Sequence, residues 1–232
     1  MITLYIKFFQ TMSKYIDFHC HSLSNETDDL VEIVSFDPRK KFMDGLFTLG
    51  FHPWWTNGLL TDGQIEILRN VFLNNKKCLA IGECGLDKLQ GAEESVQITN
   101  FEKQVELANL LDAPLIIHCV RKYDTLLSIY KNQAKTPWVI HGYKRNKILA
   151  KTLLDLNIGL SVAPYEMMPD SFLDTLSFIP MDKLHLETDS DRRLNIVTRY
   201  KILAELRKIS LDQLILQLFN NCKIFFGNKW PI

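Results

Sequence analysis

Eight short, strongly apolar runs recur along this chain, and most of the later ones are separated by stretches of helical periodicity. They occupy residues 15–19, 30–36, 45–52, 78–83, 114–118, 137–141, 157–162 and 183–189. Runs of this length, apolar almost throughout, read as strands covered on both faces, which is the condition of parallel strands. Between them, residues 62–75, 97–111, 123–133 and 146–156 place apolar side chains three and four apart; Phe101, Val105, Ala108 and Leu111 make one such stripe. Two more helices are predicted over 194–208 and 211–221, with Ser210 as the N-cap of the second. No Gly-rich turn follows the first strand, so the alternation predicts a (β/α)8 barrel rather than a doubly wound sheet. The first two connections span about ten and about eight residues, short of the dozen or more that a parallel crossover usually takes. The expected fold is therefore a distorted barrel with shortened early crossovers.

At 232 residues the chain has the length of one barrel, which runs to about 250. No repeat, low-complexity tract or linker divides it, so the reading is a leader over 1–14 and one domain over 15–232. Lys plus Arg and Asp plus Glu both number 27, so no global basic field draws in nucleic acid, and an anionic substrate must be held locally. The five cysteines are odd in number and show no C-x-x-C spacing, the pattern of reduced thiols in a cytoplasm. The apolar start carries Lys7 and is too short for a crossing of about 20 residues. These features predict a cytoplasmic protein with no membrane segment and no evident obligate protein partner.

Five of the six histidines, His19, His21, His52, His118 and His141, fall at or just beyond the C-terminal end of a predicted strand, where a barrel builds its active site. In the triplet His19-Cys20-His21 the two imidazoles share one face of an extended chain and can grip one metal. Glu83 closes the fourth run and Asp189 the eighth, so separate regions deliver nitrogen and oxygen ligands to one rim. Such a donor set, without thiolate, suits Zn, Mn, Ni or Fe, or Mg where oxygen dominates. Six ligands exceed one tetrahedral site, and a carboxylate such as Glu83 can bridge two divalent ions. His185 lies deeper on the inward face of the last strand, and Glu187 is placed to orient a ligating imidazole.

In order, the strings Y-I-D-F-H-C-H, G-F-H-P-W-W, A-I-G-E-C-G-L-D, L-I-I-H-C-V-R, V-I-H-G-Y, L-E-T-D and N-N-C-K-I-F-F-G resemble the signatures of the TatD-type metal-dependent hydrolases, a branch of the amidohydrolase-like barrels. The resemblance covers about residues 15–227. It implies a distorted barrel, two divalent metals and hydrolysis of phosphodiesters, typically as a deoxyribonuclease. On this likeness His19 and His21 hold the first metal, Glu83 is the shared acid, His118 and His141 serve the second metal, and Asp189 is the late acid. His52 matches a family position near the site, implying a contact to substrate phosphate or support of a ligand rather than direct ligation. Where the family commonly continues the late acid with Ala-Pro, this chain has Ser190, Asp191, Arg192 and Arg193, which alters the wall beside the site.

The expected chemistry is attack of a metal-activated water on a phosphodiester, with Asp189 and Glu83 as the catalytic carboxylates. DNA or a small phosphodiester is the expected partner, met by Arg121, Arg145, Arg192 and Arg193 on three rim loops. Trp54 and Trp55 either stack a base or cap the barrel. The rival readings are an amidohydrolase or esterase acting on a small C–N or C–O substrate, and a catalytically inactive metal-binding scaffold.

Overall fold

The computed structural model describes residues 14–24, 29–40, 44–191 and 193–231. Eight strands form one parallel sheet in the order of the sequence: β1 (Tyr15–Cys20), β2 (Leu30–Phe36), β3 (Leu46–Leu49), β4 (Cys78–Asp87), β5 (Leu115–Val120), β6 (Trp138–Ile140), β7 (Gly159–Val162) and β8 (Leu184–Leu186). Seven helices are described around it: α1 (Asp62–Asn74), α2 (Glu94–Leu111), α3 (Tyr123–Gln133), α4 (Lys147–Asp155), α5 (Asp170–Phe178), α6 (Ile196–Arg207) and α7 (Leu211–Phe226). Among the described residues no helix lies between β1 and β2 or between β2 and β3, as the short spacings require. The proposed leader falls almost wholly outside the described residues.

Local chemistry accounts for most boundaries. Thr61 with Gln64, and Ser210 with Gln213, form capping boxes that start α1 and α7, and Asn146 and Asn195 cap α4 and α6 through their side-chain oxygens. Helix α5 is absent from the sequence reading. It is nine residues long, and Pro169 and Pro180 stand at its two ends, so its apolar residues Phe172 and Leu176 span only one turn of pattern. Strand β4 runs four residues beyond its predicted end at Glu83.

Side-chain alternation divides the barrel interior into two tiers. Ile33, Ile116 and Val139 belong to a buried apolar cluster with Phe18 and with Phe219, Phe225 and Phe226 of α7, which plugs the N-terminal end of the strands. His185 lies on this floor, stacked on Phe18 at 4.1 Å, and burial lowers its pKa to about 3, so it is a neutral packing residue. Two residues further along come Ser35 and His118 and, just past β6 and β8, His141 and Glu187, which make the upper tier polar. The register slips by one residue between Asp17 and Cys20 on β1 and between Ile81 and Cys84 on β4. Each slip brackets a candidate ligand, His19 or Glu83, and an extra residue in a strand is a device for re-aiming a side chain. Gly82 lies within the second slip, and a Cβ there would stand 2.5 Å from the Ile116 carbonyl oxygen.

Candidate metal centre

Glu83, buried inside the barrel, is the hub of the upper tier. Its Oε2 lies 3.3 Å from His19 Nε2 and 3.7 Å from His21 Nε2, and it accepts from Ser35 Oγ at 3.3 Å. Its Oε1 lies 2.6 Å from His141 Nε2, 2.9 Å from His118 Nδ1 and 3.0 Å from His52 Nε2. Asp189 enters from the β8 side, 3.1 Å from His21 Nε2. The seven histidine and carboxylate side chains come from six separate stretches of chain, and each lies within 3.3 Å of at least one other.

Among the described residues, three groups at this rim have donors close enough to share one ion: His19 with His21 and Glu83, His19 with His141 and Asp189, and His52 with Glu83 and His118; a fourth, Asp17 with Cys20 and Glu32, lies beside it on β1 and β2. His19 tests whether the set fits a metal. It is 0% exposed, and neither ring nitrogen has a hydrogen-bond partner. Leaving a buried polar group unmatched costs about 1–3 kcal/mol, and the ring is held there facing a carboxylate and other imidazoles. The donor set therefore fits a cation of the imidazole- and carboxylate-binding kind.

The electrostatics point the same way. Burial opposes the charge on Glu83, yet His141 and His19 hold its pKa well below the usual carboxylate range. Burial likewise opposes a charge on His141, but Glu83 and Glu187 outweigh it and raise its pKa well above the ordinary histidine value. Asp189, though desolvated, is lowered to about 2 by its hydrogen bond to His21 and the nearby imidazoles. The carboxylates demand positive charge where bulk water cannot supply it.

His52 differs from the other imidazoles. Its Nδ1 accepts the backbone N–H of Trp54 at 3.1 Å, so the neutral ring carries its proton on Nε2, toward Glu83. Burial, with His118 and His141 nearby, lowers its pKa against the pull of Glu83 and keeps it neutral. It is set up to donate a hydrogen bond, which is directed at Glu83.

Asp87 was not recognised in the sequence. Its Oδ2 lies 3.1 Å from His118 Nε2 and accepts the indole N–H of Trp54 at 2.8 Å, while Oδ1 accepts Leu89 N–H at 2.7 Å. The available signal was its place four residues after Glu83, on a strand the apolar pattern ended too early. Glu187 Oε1 accepts Gly142 N–H at 2.6 Å and lies 3.6 Å from His141 Nδ1. Arg121 and Arg145 are exposed on the loops after β5 and β6, and Arg145 bonds to the Tyr123 phenol. Arg193 is exposed, but its guanidinium is bound by Asp191 at 2.8 and 2.9 Å. Arg192 lies outside the described residues. Arg39, also missed, contributes a further rim guanidinium, bound to Asp37 and 5.7 Å over the Trp55 ring. Trp54 braces His52 and Asp87, and its ring is 44% exposed.

An eight-stranded parallel barrel with a histidine–carboxylate cluster at its strand C-termini defines the class: a (β/α)8 barrel built to carry a metal centre. Residues 16–227 match the family described as TatD related DNase, and the chain belongs to that family. It is 28% identical over 160 residues to an uncharacterized metal-dependent hydrolase of Buchnera aphidicola, covering 65% of this chain and 59% of that one. Over 162 residues it is 30% identical to the 3'-5' ssDNA/RNA exonuclease TatD of Erwinia billingiae, covering 62% and 56%. The chain thus spans less than two thirds of the length of these relatives. The crystal structure of a TatD homologue from Escherichia coli superimposes with a TM-score of 0.75 at 24% identity, over 92% of this chain and 98% of that one, which establishes the fold. Membership in the family implies use of divalent metal. No helix of the described residues is long and apolar enough to cross a membrane.

Proposed function

We propose that this chain hydrolyses phosphodiester bonds in DNA with two divalent ions, one held by His19, His21 and Asp189, the other by His118 and His141, with Glu83 shared between them. The observation that carries the reading is the division of the Glu83 carboxylate, whose Oε2 faces His19 and His21 while Oε1 faces His118 and His141. Divalent ions at such a site neutralise phosphate charge and make water a competent nucleophile near neutral pH. Asp189, ionised and at the open edge of the cluster, accepts the proton lost by water. His52, whose Nε2–H meets Glu83, would donate that hydrogen bond to a non-bridging phosphate oxygen where metal engages the carboxylate. Glu187 holds the His141 ring, and Asp87 the His118 ring, each from the far side.

A cavity of about 470 Å3 opens beside Asp189 and Glu187, lined also by Lys144, Tyr165 and Arg193, and provides room for the strand on one side of the scissile bond. Arg121 and Arg145 supply positive charge along the rim, which offsets the zero net charge of the whole chain where a phosphate would lie. All five cysteines are buried and none is in a disulfide, in keeping with a cytoplasmic location.

The test is an assay of metal-reconstituted protein on single-stranded DNA, double-stranded DNA, small phosphodiesters and small amides, with Zn, Mn, Ni, Fe and Mg in turn. Metal-dependent cleavage of a phosphodiester is the expected result. Metal-dependent amide hydrolysis without phosphodiester cleavage would reverse the assignment, and metal binding with no turnover would leave only the scaffold.

A further inference from the structure

Helix α2 carries three buried amides on the face turned toward the barrel: Gln97, Asn100 and Gln104, at 5%, 4% and 1% exposure. Their spacing of three and four residues aligns them in one stripe. A buried amide is unfavourable unless its hydrogen bonds are made, and these are made largely to the backbone of the rim loops. Gln97 accepts the N–H of Asp87 at 2.8 Å and donates to the carbonyls of Asp87, Gln90 and Ala92 at 3.0, 3.2 and 2.7 Å. Gln104 accepts the N–H of Phe51 at 2.7 Å and donates to its carbonyl at 3.1 Å, pairing with that residue as a neighbouring strand would. Asn100 holds Leu60 N–H at 2.7 Å and the Gly58 carbonyl at 2.9 Å, in a segment without a site residue.

The two glutamines therefore grip different parts of the centre. The residue held by Gln97 is Asp87, whose carboxylate meets His118 Nε2 at 3.1 Å. The residue held by Gln104 immediately precedes His52, whose Nε2 meets Glu83 at 3.0 Å. We propose that Gln97 and Gln104 are positioning residues with separable tasks: Gln97 sets the metal affinity of the His118 side through Asp87, and Gln104 aims His52 at the substrate through Phe51. The proposal rests on the reading of His118 as a ligand and His52 as a hydrogen-bond donor. Asn100 provides an internal control, since it has the same burial, the same helix face and the same chemistry but no site residue in its grip.

The experiment compares Gln97→Met, Gln104→Met and Asn100→Leu with the unmodified protein. Cobalt(II) affinity is read from the d–d absorption of the titrated apoprotein, melting temperature from circular dichroism, and kcat and KM from a small phosphodiester. Gln97→Met is expected to weaken cobalt binding about 10-fold or more, the range found when the partner of a ligating histidine is disturbed. Gln104→Met is expected to keep cobalt affinity within about twofold while kcat falls about 10-fold or more, the scale of a misplaced active-site group. Asn100→Leu is expected to lower the melting temperature without either effect. Equal cobalt affinity in all three variants, or an Asn100→Leu loss as large as that of Gln97→Met, overturns the proposal. Should Gln97→Met fail to fold, Gln97→Glu keeps the acceptor for Asp87 N–H, loses the three donations and serves the same comparison. Cobalt affinity is read without turnover, so a protein that binds cobalt but cleaves no phosphodiester refutes the proposed activity and still decides the task of Gln97.

Discussion

The backbone N–H of Asp189 donates to the carbonyl oxygen of His19 at 2.9 Å, joining the end of the last strand to the first at the level of the metal centre. One residue earlier, Thr188 donates its N–H and its hydroxyl to Asp17 at 2.9 and 2.6 Å. Closure of the barrel and assembly of the centre are therefore one event: the contacts that seal the sheet bring the late acid to the His19–His21 pair.

The closing bond uses the Asp189 backbone while the proposed chemistry uses its side chain, so the two can be separated. Asp189 has φ of 54°, a left-handed conformation that asparagine adopts readily. Asp189→Asn should keep the circular dichroism and melting behaviour of the parent while turnover falls about 100- to 10,000-fold, the range for loss of a general base. Near-parental turnover at normal metal content would remove Asp189 from the proton-transfer role.

Metal removal should be felt as lost stability, because it leaves both His19 ring nitrogens buried without a hydrogen bond. A ligand present at 100 times its Kd stabilises the folded state by about 2.7 kcal/mol. For a chain of this size, chelation should then lower the melting temperature by about 5–10 °C. An unchanged melting temperature after metal content has been shown to fall would mean that the cluster is satisfied without ions.

The pairing of Arg193 with Asp191 predicts a salt effect. The Asp191 carboxylate is held well below the usual range by its bonds to Arg193, so the pair carries no net charge at neutral pH. Asp191→Ala should free the guanidinium, tighten single-stranded DNA binding and steepen the slope of log K against log salt by about 0.7, one phosphate contact. A slope equal to the parent's would place Arg193 off the path of the strand.

Burial raises the thiol pKa of Cys78 and of Cys119 to about 12, and pushes Cys84 and Cys222 up as well. Cys20 is also buried. A thiol-specific disulfide reagent at pH 8 should modify fewer than one cysteine per native chain and all five in guanidinium chloride. Rapid modification in the native state would show an accessible thiol.

Sequence by itself determined the strand rhythm, and with it the barrel, because the apolar pattern of a doubly covered strand is a local property. It also singled out the candidate ligands, since His19, His21, Glu83, His118, His141 and Asp189 all stand at or near strand ends that this pattern predicts. Tertiary structure alone decided what each of them faces. The register slips beside His19 and Glu83 turn those side chains into the barrel, and a slip arises from pairing with a neighbouring strand, which no local window contains. Asp87, Gln97 and Gln104 stayed hidden for the same reason: their partners are His118, the rim backbone and Phe51, and only folding sets them side by side. Arg193 illustrates the converse, a charge that the sequence presents as single and that the folded chain pairs with its near neighbour Asp191. Composition and periodicity register which residues are present; a site depends on directed contacts at about 3 Å, and those exist only once the strands have closed.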